Sequence, residues 1–411
     1  MEALNERDLI YDWNTHAEAW KPSQPIEFND ETLRDGLQSP SVCDPPIADK
    51  IRMLHYMHEL GIQSANIGLP GAGPRAKADV LALAKEIAQN KLPVFPNCAA
   101  RTVEADILPI VETAQQAGMI IEAAMFIGSS PIRQYAEEWN LDFLVRTVAR
   151  AVTFAVKYEL PVMFVTEDTI RSHPEDIRTL YATAVNCGAS RVVCCDTVGH
   201  ATPNGVRALI RFVREVVHAI DPAVKVDWHG HKDRGLSMTN TLAAIEAGAD
   251  RVHGTMLGIG ERVGNTPLDL LLVNCKLLGW IDNDLTALKN YADLVSQVCE
   301  VPIPVNYPVL GRDAFRTGTG VHAAAIAKAQ KKGQEWLADR VYSGVPASWV
   351  GRKQEIDIGH MSGESNVIFW LTAHGFEPKR EWIEAVFNKA KTLNRNLTDE
   401  EIRAVIAATT T

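Results

Sequence analysis

Between Ile26 and Trp280, eight short apolar runs alternate with longer stretches of helical spacing, and this alternation restricts the fold of the 411-residue chain more than any other feature. The apolar runs are IEFND, SANIG, VFPN, IEAAMFIG, PVMFVTED, RVVCCD, VKVDWHGH and RVHGTM. Between them, apolar residues recur at the helical period over Ala48–Leu60, Lys77–Gln89, Val103–Ala117, Phe143–Tyr158, Pro174–Cys187, Pro203–Ile220 and Thr239–Ala247. Pro174 and Pro203 stand where the first turn of a helix tolerates proline. Gly61, Gly118, Gly188 and Gly248 follow helical stretches as stop signals. Strand–helix repeats of this number over roughly 250 residues predict an α/β fold closed into a (β/α)8 TIM barrel. An open doubly wound sheet is the alternative, but no GxGxxG follows the first run.

After Trp280 the alternation stops. Leu285–Cys299 reads as a helix, VPIPVNYPVLG as a stiff connector, and AAAIAKAQKKGQEWL and Glu381–Ala408 as further helices. The expected organisation is a barrel domain over 1–285, including the residues before Ile26. A mainly helical extension without an obvious sheet follows over 286–411.

Composition narrows the function classes. Forty-one Lys and Arg against 51 Asp and Glu give a net charge of −10, and no basic face for nucleic acid is visible. No apolar run is long enough to span a bilayer. The start, MEALNERDLIYDW, lacks a basic region followed by an apolar core, so no signal peptide is expected. Seven cysteines without a CxxC pair argue against a disulfide framework or zinc finger and fit a reducing cytoplasm. The Cys194–Cys195 pair, inside an apolar run, is expected to pack in the core.

In barrels of this kind the reacting groups sit at the C-terminal ends of the strands. His229-x-His231 on a strand puts both imidazoles on one face, because side chains alternate with period two. Two such imidazoles with Asp35 from a distant strand end make an oxygen/nitrogen set suited to a divalent cation. Arg34 would point away from Asp35 in an extended stretch, but in a turn both reach the mouth, where Arg34 could act as an electrophilic cation.

The segments LRDGLQ, FVTEDTIRS, CDTVGHATP, HGHKDRGLSMTNTLAAIEAGADRVHGTMLGIGERVGNTPL and FRTGTGVH occur in the order seen in isopropylmalate and homocitrate synthases. The chain thus resembles that family of the DRE-TIM metallolyase superfamily over nearly everything after Ile26. The resemblance implies a Claisen condensation of an acyl-CoA, usually acetyl-CoA, with a 2-oxo acid, dependent on Mg2+, Mn2+ or Zn2+. It makes Asp35, His229 and His231 metal ligands, with Asn265 close to the metal. Arg34 would stabilise the developing alkoxide. Gln38, Glu167 and Thr197 would line the 2-oxo-acid pocket, Glu167 counting among the catalytic groups. His322 looks like the family's catalytic histidine, suited to remove a proton from the thioester methyl group. Tyr342 matches a tyrosine that reaches the site from the extension, or packs in a core. The resemblance further implies a homodimer with shared active sites.

The departures bear on the acceptor. Where the superfamily usually carries a glutamate that orients the arginine, this chain has Asn66, which offers a hydrogen bond but no charge. The usual HxSGIH reads Thr317-Gly-Thr-Gly-Val-His322, so the first histidine is lost. Arg133 stands where isopropylmalate synthases tend to have histidine; it either contacts a second carboxylate on the acceptor or pairs with Glu137 one helical turn on. The sequence ends at Thr411, before the regulatory domain of leucine-inhibited relatives, so inhibition through such a domain is not expected. Two other activities compete with condensation: a lyase of the hydroxymethylglutaryl-CoA type, whose glycine-loop cysteine is missing from GIGERVGN, and a non-catalytic binding barrel.

Overall fold

The eight apolar runs form eight parallel strands that close on themselves: β1 (Glu27–Asp30), β2 (Ser64–Asn66), β3 (Phe95–Arg101), β4 (Glu122–Gly128), β5 (Val162–Glu167), β6 (Arg191–Asp196), β7 (Lys225–Gly230) and β8 (Arg251–Gly254). β8 pairs with β1 to complete the (β/α)8 barrel, Phe28 opposite Val252. The computed structural model describes residues 5–15 and 20–410. The strands are buried on both faces, which is why they read as continuous apolar runs rather than as alternating ones. In β6, Cys194 and Cys195 are both buried, in line with the core-packing expectation.

Helices wrap the strands at the predicted stretches: Ile47–Glu59, Pro74–Asn90, Glu104–Ala117, Leu141–Lys157, Pro174–Asn186, Pro203–His218 and Ser237–Glu246. Pro174 and Pro203 are the first residues of theirs. The Asn140 side chain caps Leu141–Lys157 by accepting from the Phe143 amide. An eighth helix, Leu268–Leu277, escapes a periodicity reading because LDLLLVNCKL is apolar on most of its circumference.

A charged layer fills the interior of the barrel. Arg251, 1% exposed, donates to Asp227 at 2.7 Å and to Glu122 at 2.9 Å, and Arg191 donates to Asp227 at 2.6 Å. Burial alone would raise the Asp227 pKa, but Arg251 and Arg191 overcome it and hold the carboxylate well below its ordinary range. This layer is the floor on which the functional residues stand.

Contacts divide the chain into a barrel unit, Trp20–Pro302, and a second unit of Ile303–Thr411 with the described part of Met1–Ala19. The helix Leu288–Val298 groups with the barrel because Tyr291 is buried there and donates to Asp30 at 2.9 Å, so the barrel unit runs past residue 285. The residues before Ile26 are likewise split: Glu6 accepts from Arg340 of the second unit at 2.7 Å, whereas Trp20 packs edge-on against Trp280 of the barrel unit.

The second unit holds helices Gly320–Lys331 and Glu335–Arg340, with a core that includes Ala323, Ile326 and Ala338, and helices Glu364–Ala373, Arg380–Lys391 and Asp399–Thr410, with a core that includes Val367, Leu371, Val386 and Ile402. It also contains a parallel pair, Arg316–Thr317 with Glu355–Ile356. Strands of two residues are too short to leave an alternating pattern, so the expectation of no sheet is corrected here. Among the described residues no helix is long and apolar enough to cross a membrane.

Candidate active site

Four of the expected residues converge at the C-terminal ends of the strands. Asp35 lies in the turn after β1, His229 within β7, His231 just beyond it and Asn265 after β8. The period-two relation holds, with the two imidazoles on one side and ring centroids 5.1 Å apart. Nε2 of His229 and Nε2 of His231 each lie 3.6 Å from Oδ2 of Asp35. The Asn265 amide donates to that same oxygen. Asp35, His229, His231 and Asn265 are all nearly inaccessible.

The loop Gly258–Asn265 depends on glycine to reach this point. Gly264 has φ +98°, and a Cβ there would lie 1.9 Å from the Gly258 carbonyl oxygen. Gly260, at φ +154°, leaves room for the Asn265 Oδ1, which a Cβ would approach to 2.8 Å. His231 and Asn265 form a β-bridge, and the His231 amide donates to the Asp196 carbonyl at 3.1 Å.

Two residues not expected from sequence complete the cluster. Glu31 accepts from His229 Nδ1 at 2.7 Å through Oε2, and from Arg34 Nη2 at 3.1 Å and His253 Nδ1 at 3.1 Å through Oε1. His253 also reaches Asp227 Oδ2 at 3.0 Å, which links the site to the charged floor. Arg34 has its other contact with Asp35 at 3.0 Å, so the turn does bring both side chains to the mouth. Asn66 does not hold the guanidinium: its Oδ1 accepts from Gly68 N, and its Nδ2 is buried without a partner. Glu31 follows Asn29 by two along one strand direction, the only cue to its inward position in the sequence.

Electrostatics sort these groups. Burial pushes the Glu31 carboxyl up, but His229, Arg34 and His253 outweigh it and hold the pKa well below the usual value. Burial likewise opposes ionisation of Asp35, and Arg34 and His229 lower it on balance. Burial and the neighbouring His229 depress His231 to about 4, so its ring is a neutral imidazole. Burial would lower His253, but Glu31 and Asp227 raise it. Glu167 is raised, chiefly by burial.

The donor set fits a divalent cation. Asp35, His229 and His231 offer atoms within 4.8 Å of one another, as do Glu31, His229 and His253. The first set is the better one: Nδ1 of His229 is committed to Glu31, which leaves the Nε2 lone pair toward Asp35, an arrangement common to metal-binding histidines. The Asn265 Oδ1 is buried without a hydrogen-bond partner and adds a spare oxygen donor.

The set opens into a cavity of about 270 Å³ that Gln38, Glu167 and Thr197 also line, with Ala99, Ala124, Met163 and Val193 on its apolar side. The Thr197 hydroxyl accepts from the Asp168 amide at 2.8 Å. Arg133 is not part of this lining; it pairs with Glu137 at 3.0 Å, and its guanidinium lies 5.8 Å from the centroid of the Trp139 ring. His322 and Tyr342 belong to the second unit, where they stack on each other. Thr317 there forms part of the short strand pair.

A family model described as HMGL-like matches residues 25–295. Homocitrate synthase AksA of Methanopyrus kandleri is 30% identical over 98% of this chain and 94% of its own length. The 2-isopropylmalate synthase of Staphylococcus saprophyticus is 29% identical over 94% of this chain and 75% of its own. Among solved structures, hydroxymethylglutaryl-CoA lyase from Pseudomonas aeruginosa matches with a TM-score of 0.56 at 20% identity, covering 67% of this chain and 94% of that one, a likeness of fold.

Proposed function

The chain belongs to the HMGL-like family, and from that membership we propose that it is an acyltransferase condensing the acetyl group of acetyl-CoA with the ketone of a 2-oxo acid. Hydrolysis of the thioester then gives free CoA and a hydroxy acid with one carboxylate more than the acceptor, a diacid of the 2-alkylmalate type or a triacid of the homocitrate type. One arrangement carries this function: the free edges of His229 and His231 meet Asp35 beside the Arg34 guanidinium, at the wall of a cavity of small-molecule size.

A divalent cation (Mg2+, Mn2+ or Zn2+) held by Asp35, His229 and His231, with Asn265 near it, would supply Lewis acidity to the ketone of a 2-oxo acid. Arg34, fixed by Glu31 and Asp35, presents a cation to the charge that develops on the ketone oxygen as the C–C bond forms. Gln38 and Thr197 orient the acid within the cavity. Glu167, whose carboxyl burial pushes above its ordinary pKa, stands at the cavity wall as a group that can hold or pass a proton. His322 takes the proton from the methyl group of the acetyl thioester, and Tyr342 braces its ring. Water then attacks the thioester carbonyl, and the thiolate leaves with a proton as CoA.

Incubation with acetyl-CoA 13C-labelled at the methyl carbon tests this reading. The label should appear as a methylene next to a carbon bearing a hydroxyl; recovery only as acetate contradicts condensation. The finer reading is a homodimer in which His322 and Tyr342 complete the partner's site. Mixing His229→Ala with His322→Ala subunits should then restore about a quarter of wild-type activity at random exchange, and no recovery after proven exchange contradicts it.

A further inference from the structure

Glu31 is a carboxylate at the cavity wall whose side chain is only 3% exposed, with each oxygen given a distinct task. Oε2 faces His229 Nδ1 at 2.7 Å, while Oε1 receives Arg34 Nη2 at 3.1 Å and His253 Nδ1 at 3.1 Å. We propose that Glu31 is a positioning residue that sets, with one side chain, the ligating edge of His229 and the station of Arg34. The inference rests on the reading of Asp35, His229 and His231 as a metal site.

Glu31 already accepts from the Arg34 guanidinium through Oε1, and its Oε2 at 2.7 Å from Nδ1 of His229 favours the tautomer that carries its proton on Nδ1. The lone pair is then on Nε2, the atom 3.6 Å from Asp35. A ring in the other tautomer would turn an N–H toward the site and could not ligate there. Arg34 depends on the same carboxylate for a different reason. Its second partner, Asp35, already faces both histidines and Asn265, whereas Glu31 meets Arg34 through Oε1, the oxygen not turned toward His229. Glu31 is itself braced from below. His253 spans it and Asp227, and Asp227 is fixed by Arg251 and Arg191. The position of Glu31 is thus inherited from the barrel floor, and it passes that position to two groups on the mouth side.

Glutamine at this position is isosteric but replaces one acceptor with a donor. If its amide nitrogen faces His229, the imidazole must move its proton to Nε2; if it faces Arg34, two donors meet and the guanidinium shifts. The test is Mn2+ affinity, read by electron paramagnetic resonance of free Mn2+, for wild type, Glu31→Gln and His231→Ala, alongside thermal unfolding of each metal-free protein. Loss of a hydrogen-bond partner behind a ligating histidine should weaken Mn2+ binding about 10- to 100-fold. If the amide settles the other way, Mn2+ binding persists while kcat falls at unchanged KM for the 2-oxo acid; either result supports the proposal. Glu31→Gln with wild-type Mn2+ affinity and wild-type kcat overturns it. Wild type that binds no Mn2+, or His231→Ala that binds it undiminished, overturns the metal reading and this inference with it. Should Glu31→Gln fail to fold, 15N shifts of selectively labelled histidines in the metal-free wild type decide. A proton on Nδ1 of His229 supports the proposal, and one on Nε2 alone overturns it.

Discussion

His322 and Tyr342 stack ring on ring, with centroids 4.0 Å apart and planes 29° from parallel, while the Tyr342 side chain stays half exposed. An aromatic pair left open in this way does not serve as core for its own unit. Its orientation suits a histidine that must be held and yet remain reachable. His322→Ala should lower kcat by about 10²- to 10⁴-fold, the range for loss of a general base, with no change in thermal unfolding. Tyr342→Phe keeps the stack and should cost far less. Steady-state kinetics with both variants checks this; a His322→Ala enzyme at full kcat removes it from the mechanism.

The glycine loop should tolerate no side chain at its tightest point. At Gly264 a Cβ would fall 1.9 Å from the Gly258 carbonyl oxygen at a φ of +98°, so Gly264→Ala must move the loop that carries Asn265. A displacement of about 1 Å at a reacting site costs on the order of 10²-fold in rate. Turnover and the melting temperature should both fall; a variant with wild-type turnover would show that Asn265 is not positioned by this loop.

Asp30 gives the fold a pH dependence of known sign. Burial raises its pKa from 3.8 to about 6, against the hydrogen bonds from Thr32 and Tyr291. The folded state therefore favours the protonated form. That stability is complete below the unfolded pKa and is lost as pH rises through about 6. Each pH unit between the unfolded and folded pKa is worth about 1.4 kcal/mol, so the loss is on the order of 3 kcal/mol. Asp30→Asn can still accept from the Thr32 amide and donate to the Tyr291 hydroxyl. Urea unfolding at pH 4.5 and 7.5 should show the variant gaining on wild type at the higher pH. A stability difference that does not change with pH contradicts the assignment.

Arg133 should be dispensable for choosing the acceptor. Its side chain is 47% exposed, and the Glu137 carboxylate already takes its guanidinium at 3.0 Å. Arg133→Ala should change stability by less than about 1 kcal/mol, as for other surface pairs, and leave the order of preference among 2-oxo acids as in wild type. Selective loss of activity toward dicarboxylic acceptors would instead bring Arg133 to the far end of the substrate.

The barrel is legible in the sequence because each strand is buried on both faces, and runs such as PVMFVTED or RVVCCD stand out from the helices between them. His229, His231 and Asp35 are legible for a related reason: period two and strand-end placement are local rules. Glu31 is not, because a glutamate in NDETLRD reads as a solvated charge until β7 and β8 bring two imidazoles against it. His253 is hidden in the same way, since RVHGTM announces a strand but not what lies beneath it. Asn66 on β2 gives no support to the arginine, because the carboxylate that does so lies three residues before Arg34 in the same segment.

The most direct test is release of free thiol from acetyl-CoA by the purified protein, followed with a thiol reagent across a panel of 2-oxo acids, with and without a chelator. Thiol should appear only when a 2-oxo acid is present, stop after chelation, return on adding Mg2+, Mn2+ or Zn2+, and fall by orders of magnitude in His231→Ala. Thiol release that needs no 2-oxo acid, or that continues undiminished after exhaustive chelation, would contradict a metal-dependent condensation at Asp35, His229 and His231.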